Sequence, residues 1–172
     1  MCSSRTRKLF AKGERASPNV FGKLVKIQEA ENQIVTHFEV YAERPADSTL
    51  LLSSIEVHQQ RLGRIPRLVA ADAGFYSREN EKAGQALGVQ WMSVPNKNTK
   101  SSERKHLEHQ RWFRRGQKWR TASEGRISVL KRRHGLRRCL YPGLDGMRRW
   151  VGLGVIADNF IQMGCYLARQ ST

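Results

Sequence analysis

The chain has 172 residues, a formal charge of +16 and a pI of about 10.6, long enough for one domain with a real core. Hydrophobic residues at 39% and aromatics at 8% exclude a plainly disordered chain, and Cys2, Cys139 and Cys165, odd in number, far apart and without a CxxC pair, suggest neither a disulfide framework nor a zinc ribbon. The positive surplus argues for a polyanionic partner, most often nucleic acid, although a ribosomal-type or merely basic protein shares this composition.

In chain order, MCSSRTRKLF has no long apolar run and is no signal peptide. Residues 1–19 are polar and basic and are expected to be poorly ordered. Two β-rich runs follow, Val20 to Ile27 and Ile34 to Tyr41, joined by the polar stretch EAENQ. They predict an antiparallel hairpin. Pro45 breaks the strand, and Asp47 or Ser48 is placed to cap a helix through LLLSSIEVHQQRLG that stops near Gly63. Leu68 to Ala71 is a short apolar run ending at Asp72 and Gly74, as a buried strand ends at a loop. Ser77 opens a helix that Gly88 closes, and VQWMSVP is another strand. The alternation of strand and helix predicts parallel pairing, hence an α/β sheet fed by a hairpin.

From Asn96 to Gly116 the pattern weakens, with a helix expected from about Ser102 to Phe113. Between Lys97 and Arg138 there are 15 Lys/Arg against three acids, a net of +12. Trp112, Phe113 and Trp119 are interleaved with these cations, which suits a phosphate backbone and splayed bases, or simply the apolar faces of helices. His106 and His109 fall three apart without a further ligand pattern, as on a surface helix. A second helix is expected from Thr121 to His134, with Ile127, Leu130 and His134 on its inward stripe and Arg126, Arg132 and Arg133 off it. Trp150 to Leu167 is apolar but interrupted by Asp158 and Asn159, and reads as a buried core helix rather than a membrane span. A cytoplasmic protein is expected.

Two acids stand out. Asp72 ends a strand, where chemistry gathers in open α/β sheets, although turn-capping is an equally ordinary use of Asp. Glu124 lies near the inward stripe of its helix, four residues after Arg120 and seven before Lys131, so that all three share a face. A carboxylate flanked by cations fits a metal ligand beside phosphate-binding groups; an ordinary helical Arg–Glu pair is the plainer account.

Taken together, AADAGFYSRENEKA, RWFRRGQKWRTASEGRISVLKRRHGL and RRWVGLGVIADNFIQMG resemble the C-terminal half of a bacterial insertion-sequence DDE transposase. GKLVKIQEAENQIVTHFEV and RPADSTLLL share the likeness. Its most specific piece is Arg-x3-Glu-x6-Lys, met by Arg120, Glu124 and Lys131; where many such transposases have Tyr three residues before the Arg, this chain has Gln117. The resemblance implies an RNase H-like mixed sheet with flanking helices, residues 20–172 forming a partial catalytic domain with a basic insertion-like segment at about 96–118. It implies that Asp72 and Glu124 are the second and third catalytic acids and metal ligands. Arg120, Lys131, Arg114, Arg115, Lys118, Arg132, Arg133 and Trp119 would bind or position DNA. It further implies two Mg²⁺ ions, with Mn²⁺ as a substitute, transposition by phosphodiester hydrolysis and strand transfer at element ends, association with the nucleoid, and a homodimer or a heterodimer with an intact transposase.

One departure is serious. The first acid belongs on a strand just before GKLVKI, yet MCSSRTRKLF contains none, and the first acid in the chain is Glu14. The first strand is therefore expected to be missing or incomplete, as in an N-terminally truncated transposase impaired in catalysis. Asp47 follows the hairpin's edge strand, about two strands from where that acid belongs, and fits a helix cap better. The alternative function is a non-catalytic basic DNA-binding protein or an inhibitor of the intact transposase.

Overall fold

The computed structural model describes residues 3–5, 7–8 and 24–171, with side chains for 24–122 and 125–171. Strand β1 (Ser3–Arg5) runs parallel to β5 (Leu68–Ala70), which is parallel to β6 (Trp91–Ser93). Strand β2 (Arg7–Lys8) lies antiparallel to β3 (Leu24–Glu29), which forms the hairpin with β4 (Val35–Tyr41). The orders are β1-β5-β6 and β2-β3-β4, so the N-terminal segment joins a parallel set to an antiparallel one. This is the expected mixed α/β architecture, consistent with an RNase H-like fold. The first strand exists as these two short pieces; the other residues of the 1–23 region, including the expected strand start at Val20, lie outside the described residues.

The local chemistry explains most boundaries. Helix α1 (Leu50–Leu62) ends where Gly63 adopts φ 66° and its N–H bonds the Gln59 carbonyl at 2.8 Å. Helix α2 (Arg78–Ala86) starts where the Ser77 hydroxyl accepts from the Asn80 N–H at 3.0 Å. Neither Asp47 nor Ser48 caps α1. They sit in a 3-10 turn, Asp47–Thr49, and Thr49 occupies the N-cap position without a capping side-chain bond.

Helices cover both faces of the sheet. On one, Leu51 and Ile55 of α1 pack with Val69, Phe75, Met92 and Val94 around the parallel strands. On the other, Val25, Ile27, Val35 and Val40 of the hairpin meet Leu130, Val151 and Val155 from the two long C-terminal helices.

Those long helices depart from expectation. The helix predicted over Ser102 to Phe113 is α3 (Ser102–His109), which stops because Gln110 takes ψ 144°. A new helix, α4 (Arg111–Arg133), then runs unbroken for 23 residues, absorbing both the basic segment and the helix expected to start at Thr121. Helix α5 (Gly143–Gln170) is buried along one side only, through Gly146, Val151, Gly154, Val155 and Asp158. By length and composition it could cross a membrane, with a mean hydropathy of 1.3. Its middle is nevertheless built into the protein. Asp158 is 1% exposed and pairs with Arg126. The Asn159 amide meanwhile exchanges two 2.8 Å hydrogen bonds with the Val35 backbone.

Candidate nucleic-acid interface and carboxylate site

Strand β5 delivers Asp72 to the carboxyl end of the parallel set. Val69, Ala70 and Ala71 are buried, and Asp72 emerges in extended conformation at the head of a 3-10 turn, Ala73–Phe75. Its carboxylate is 47% exposed and forms an ion pair with the Arg120 guanidinium of α4. Asp47 comes to the same end of the sheet: a Cβ on Gly74 would fall 2.7 Å from an Asp47 carboxylate oxygen. A side chain at Gly74 would displace the Asp47 carboxylate from this approach.

What brings Arg120 to Asp72 is a clamp between α4 and the strand ends. The Ser93 hydroxyl donates to the Phe113 carbonyl at 2.9 Å. Gln117 donates its amide to the Ser93 carbonyl at 2.5 Å, to the Ser93 hydroxyl at 3.1 Å and to the Ala71 carbonyl at 3.4 Å. Between those two residues, Gly116 lies so close that an added Cβ would sit 2.7 Å from both Cβ and Oγ of Ser93. One helical turn later comes Arg120, and one turn after that Glu124, about 6 Å further along the axis. Glu124 lies within α4, but its side chain is outside the described residues. Burial lowers the pKa of the Arg120 guanidinium, while the Asp72 carboxylate opposes that shift by favouring the charged form. Lys131 is partly buried, and burial, then Arg137, lowers its ammonium below the ordinary value.

The cations divide into two sets. Arg104 is used internally: it pairs with Glu81 at 2.5 Å and Glu108 at 3.0 Å and donates to the Val94 carbonyl at 2.6 Å. Arg126, expected to point off the inward stripe, is 7% exposed and donates to both Asp158 oxygens at 3.0 and 3.1 Å. The inward face of α4 is wider than its apolar spacing suggests because α5 brings it a buried carboxylate. By contrast Arg114, Arg115, Lys118, Arg132 and Arg133 are exposed. With Arg111 they occupy one side of α4 over about 33 Å, close to one turn of B-DNA.

The aromatics are mainly packing residues. Phe113 is buried, and Trp112 contacts Trp91 at 4.7 Å and Phe113 at 5.4 Å between ring centroids. Trp119 is half-buried. His106 and His109 bond within their own surface region, to Gln110 and to the Lys105 carbonyl. Among the described residues no group of three or more His, Cys, Asp or Glu is placed to hold a metal ion. The described part of the first strand offers Ser3, Ser4, Arg5, Arg7 and Lys8, and no acid.

Sequence reasoning missed the clamp and the Arg126–Asp158 pair. Gln117 had a signal, since it fills the position where the resembling family often has Tyr. Ser93 had none, because nothing in VQWMSVP marks which strand residue receives a helix.

The site is thus a mixed sheet with a cationic helix locked across the ends of its parallel strands, bringing an Arg to a strand-end Asp. Residues 80–164 match the family described as Transposase DDE domain, which supports a transposase-derived origin for the chain. The matched stretch includes Arg120, Glu124 and Lys131 and begins beyond Asp72. Such domains generally use divalent metals, and DNA is their general partner. Comparison with curated proteins finds no match.

Proposed function

We propose that this chain binds DNA along α4 and keeps two of the three carboxylates of a DNA strand-transfer site, Asp72 and Glu124, without the first. The observation that carries this is the clamp, which fixes Arg120 on Asp72 and sets Glu124 one turn further on the same helix. Asp72 suits a hard cation: its carboxylate oxygens are half-exposed at a strand end. Asp72 and Glu124 would hold Mg²⁺, or Mn²⁺ in its place. The bound metal would polarise the phosphodiester and lower the pKa of the attacking water. Arg120 orients Asp72 and balances its charge. Lys131 and the exposed cations Arg114, Arg115, Lys118, Arg132 and Arg133 hold phosphates, with Trp119 beside them. The setting is the bacterial cytoplasm, on the nucleoid when DNA is bound.

The first-strand residues that the structure describes are basic or neutral, which favours impaired catalysis over a working transposase. The same observation supports the second reading, a non-catalytic DNA binder or an inhibitor that pairs with the intact enzyme. Cleavage and strand transfer on DNA carrying element ends, with Mg²⁺ or Mn²⁺, test the assignment. The purified chain is expected to show no turnover above the Asp72→Ala variant. Robust activity that Asp72→Ala abolishes would show that a third acid is supplied elsewhere in the chain.

A further inference from the structure

The two apolar cores, one under α4 and α5 and one around α1 and the parallel strands, meet across a polar layer. Successive strand residues face opposite ways, so Val25 and Ile27 of β3 enter the first core while Lys26 and Gln28 face α1. The register sets His37 of β4 beside Gln28 and Glu39 beside Lys26. On α1, Ser54, His58 and Arg61 fall at i, i+4 and i+7, on one stripe. The Gln28 amide donates to the Ser54 carbonyl at 3.2 Å. Burial, and among the charges Arg61, hold the His37 ring below its ordinary pKa against the Glu39 bond. His58 lies between those two points of contact and therefore faces the hairpin.

The layer is closed to solvent, and its one carboxylate is already used. Lys26, Gln28, Ser54 and His58 are each at most 1% exposed. Glu39 pairs with Lys26 at 2.8 Å, bonds His37 at 2.9 Å and accepts from the Tyr41 hydroxyl. Neither ring nitrogen of His58 has a hydrogen-bond partner among the described residues, and the layer's other orphaned acceptor, Gln28 Oε1, is neutral. The charges around His58 are mostly cations: Lys26 across the layer, Arg61 on its own helix and Arg64 just beyond. Glu56 is exposed, and Glu29, paired with Val35, faces the other core. Asp47 lies at the far end of α1, against Gly74. Helix α2 packs beside Ile55, gives Glu81 to Arg104 and leaves Arg78, Glu79 and Lys82 exposed. Strand β1 holds Ser3, Ser4 and Arg5, none of them acidic. Burial, then Arg64, keeps the His58 ring below its ordinary pKa.

We infer that His58 is a proton-operated latch between the hairpin and α1: neutral, it closes the layer; protonated, it sets an uncompensated cation beside Lys26 and parts the two cores. A buried charge without a partner is costly, and nothing in the layer is free to offset it. The folded protein resists this proton, whereas the unfolded chain takes it near the ordinary value of 6.5. The stabilisation is therefore complete above that pH and is lost as pH falls below it. The inference is independent of DNA binding and of catalysis.

Hydrogen exchange on the full chain at about pH 7.5 and about pH 5.5, corrected for the intrinsic rate, tests it. Peptides from β3, β4 and α1 are expected to lose about tenfold in protection at the lower pH, one proton over one pH unit below the ordinary histidine value, while β5 and β6 keep theirs. His58→Gln, which cannot take the proton, is expected to remove the difference. The same loss in the variant, or a loss spread evenly over the molecule, would overturn the inference. If the variant misfolds, NMR titration of the wild-type histidine rings decides. The His58 ring is expected to take its proton only as the hairpin and α1 lose protection; a ring that titrates at its ordinary value with protection unchanged would overturn the inference equally.

Discussion

Ser93, Gly116 and Gln117 decide whether the site exists at all, although none carries a charge. Gln117 spans two strand ends with one amide, and Gly116 permits the distance at which that amide reaches. In an ordinary helix, Gly→Ala gains about 1 kcal/mol. At Gly116 the new methyl would enter space held by Ser93, and overpacking of this kind costs about 1–3 kcal/mol. Gly116→Ala is therefore expected to lower the midpoint of urea unfolding, against the helical preference. An unchanged or raised midpoint would mean that α4 is free to slide. Single residues were legible where their own chemistry was distinctive. Asp72 at a strand end and Ser77 as a cap were read from their neighbours alone. Gln117 and Arg126 were not, because their roles depend on atoms supplied by distant segments.

At the scale of elements, the hairpin, α1, α2 and the two short parallel strands were legible from period and punctuation. Gly63 and Gly88 marked helix ends that the structure keeps. The boundary between α3 and α4 was not legible, since Gln110 is no helix breaker by type and Gly116 is a common one that here lies inside a helix. Hydropathy averages over faces, so the apolar run of α5 predicts a buried core helix, whereas only one side is covered. Its anchor to α4 is the Arg126–Asp158 pair, 7% and 1% exposed. Removing one member of a buried pair leaves an uncompensated charge and typically costs about 3–5 kcal/mol. Asp158→Ala is expected to destabilise the protein by that order in thermal or urea unfolding, and Arg126→Met with Asp158→Leu to recover most of the loss. Equal losses in the single and double variants would place the anchor elsewhere.

At the scale of the whole molecule, the +16 charge falls into distinct sets. Arg104, Arg120 and Arg126 are consumed in ion pairs that position elements. Arg114, Arg115, Lys118, Arg132 and Arg133 remain exposed on α4, and residues 150–168 carry no cation. Total charge was readable from composition, but this partition was not, because it depends on which cations meet a carboxylate in space. On the proposed function, the exposed α4 cations form a DNA interface that does not depend on the carboxylates. The dependence of duplex-DNA affinity on salt distinguishes that interface from any other. Five phosphate contacts give a log–log slope of roughly −4 to −5, and each cation removed should reduce it by about 0.9. Arg114→Ala with Lys118→Ala is expected to flatten the slope by nearly two while Glu124→Gln leaves it unchanged; an affinity that barely changes with salt, or a slope that the α4 substitutions do not move, would mean that DNA is not held by α4.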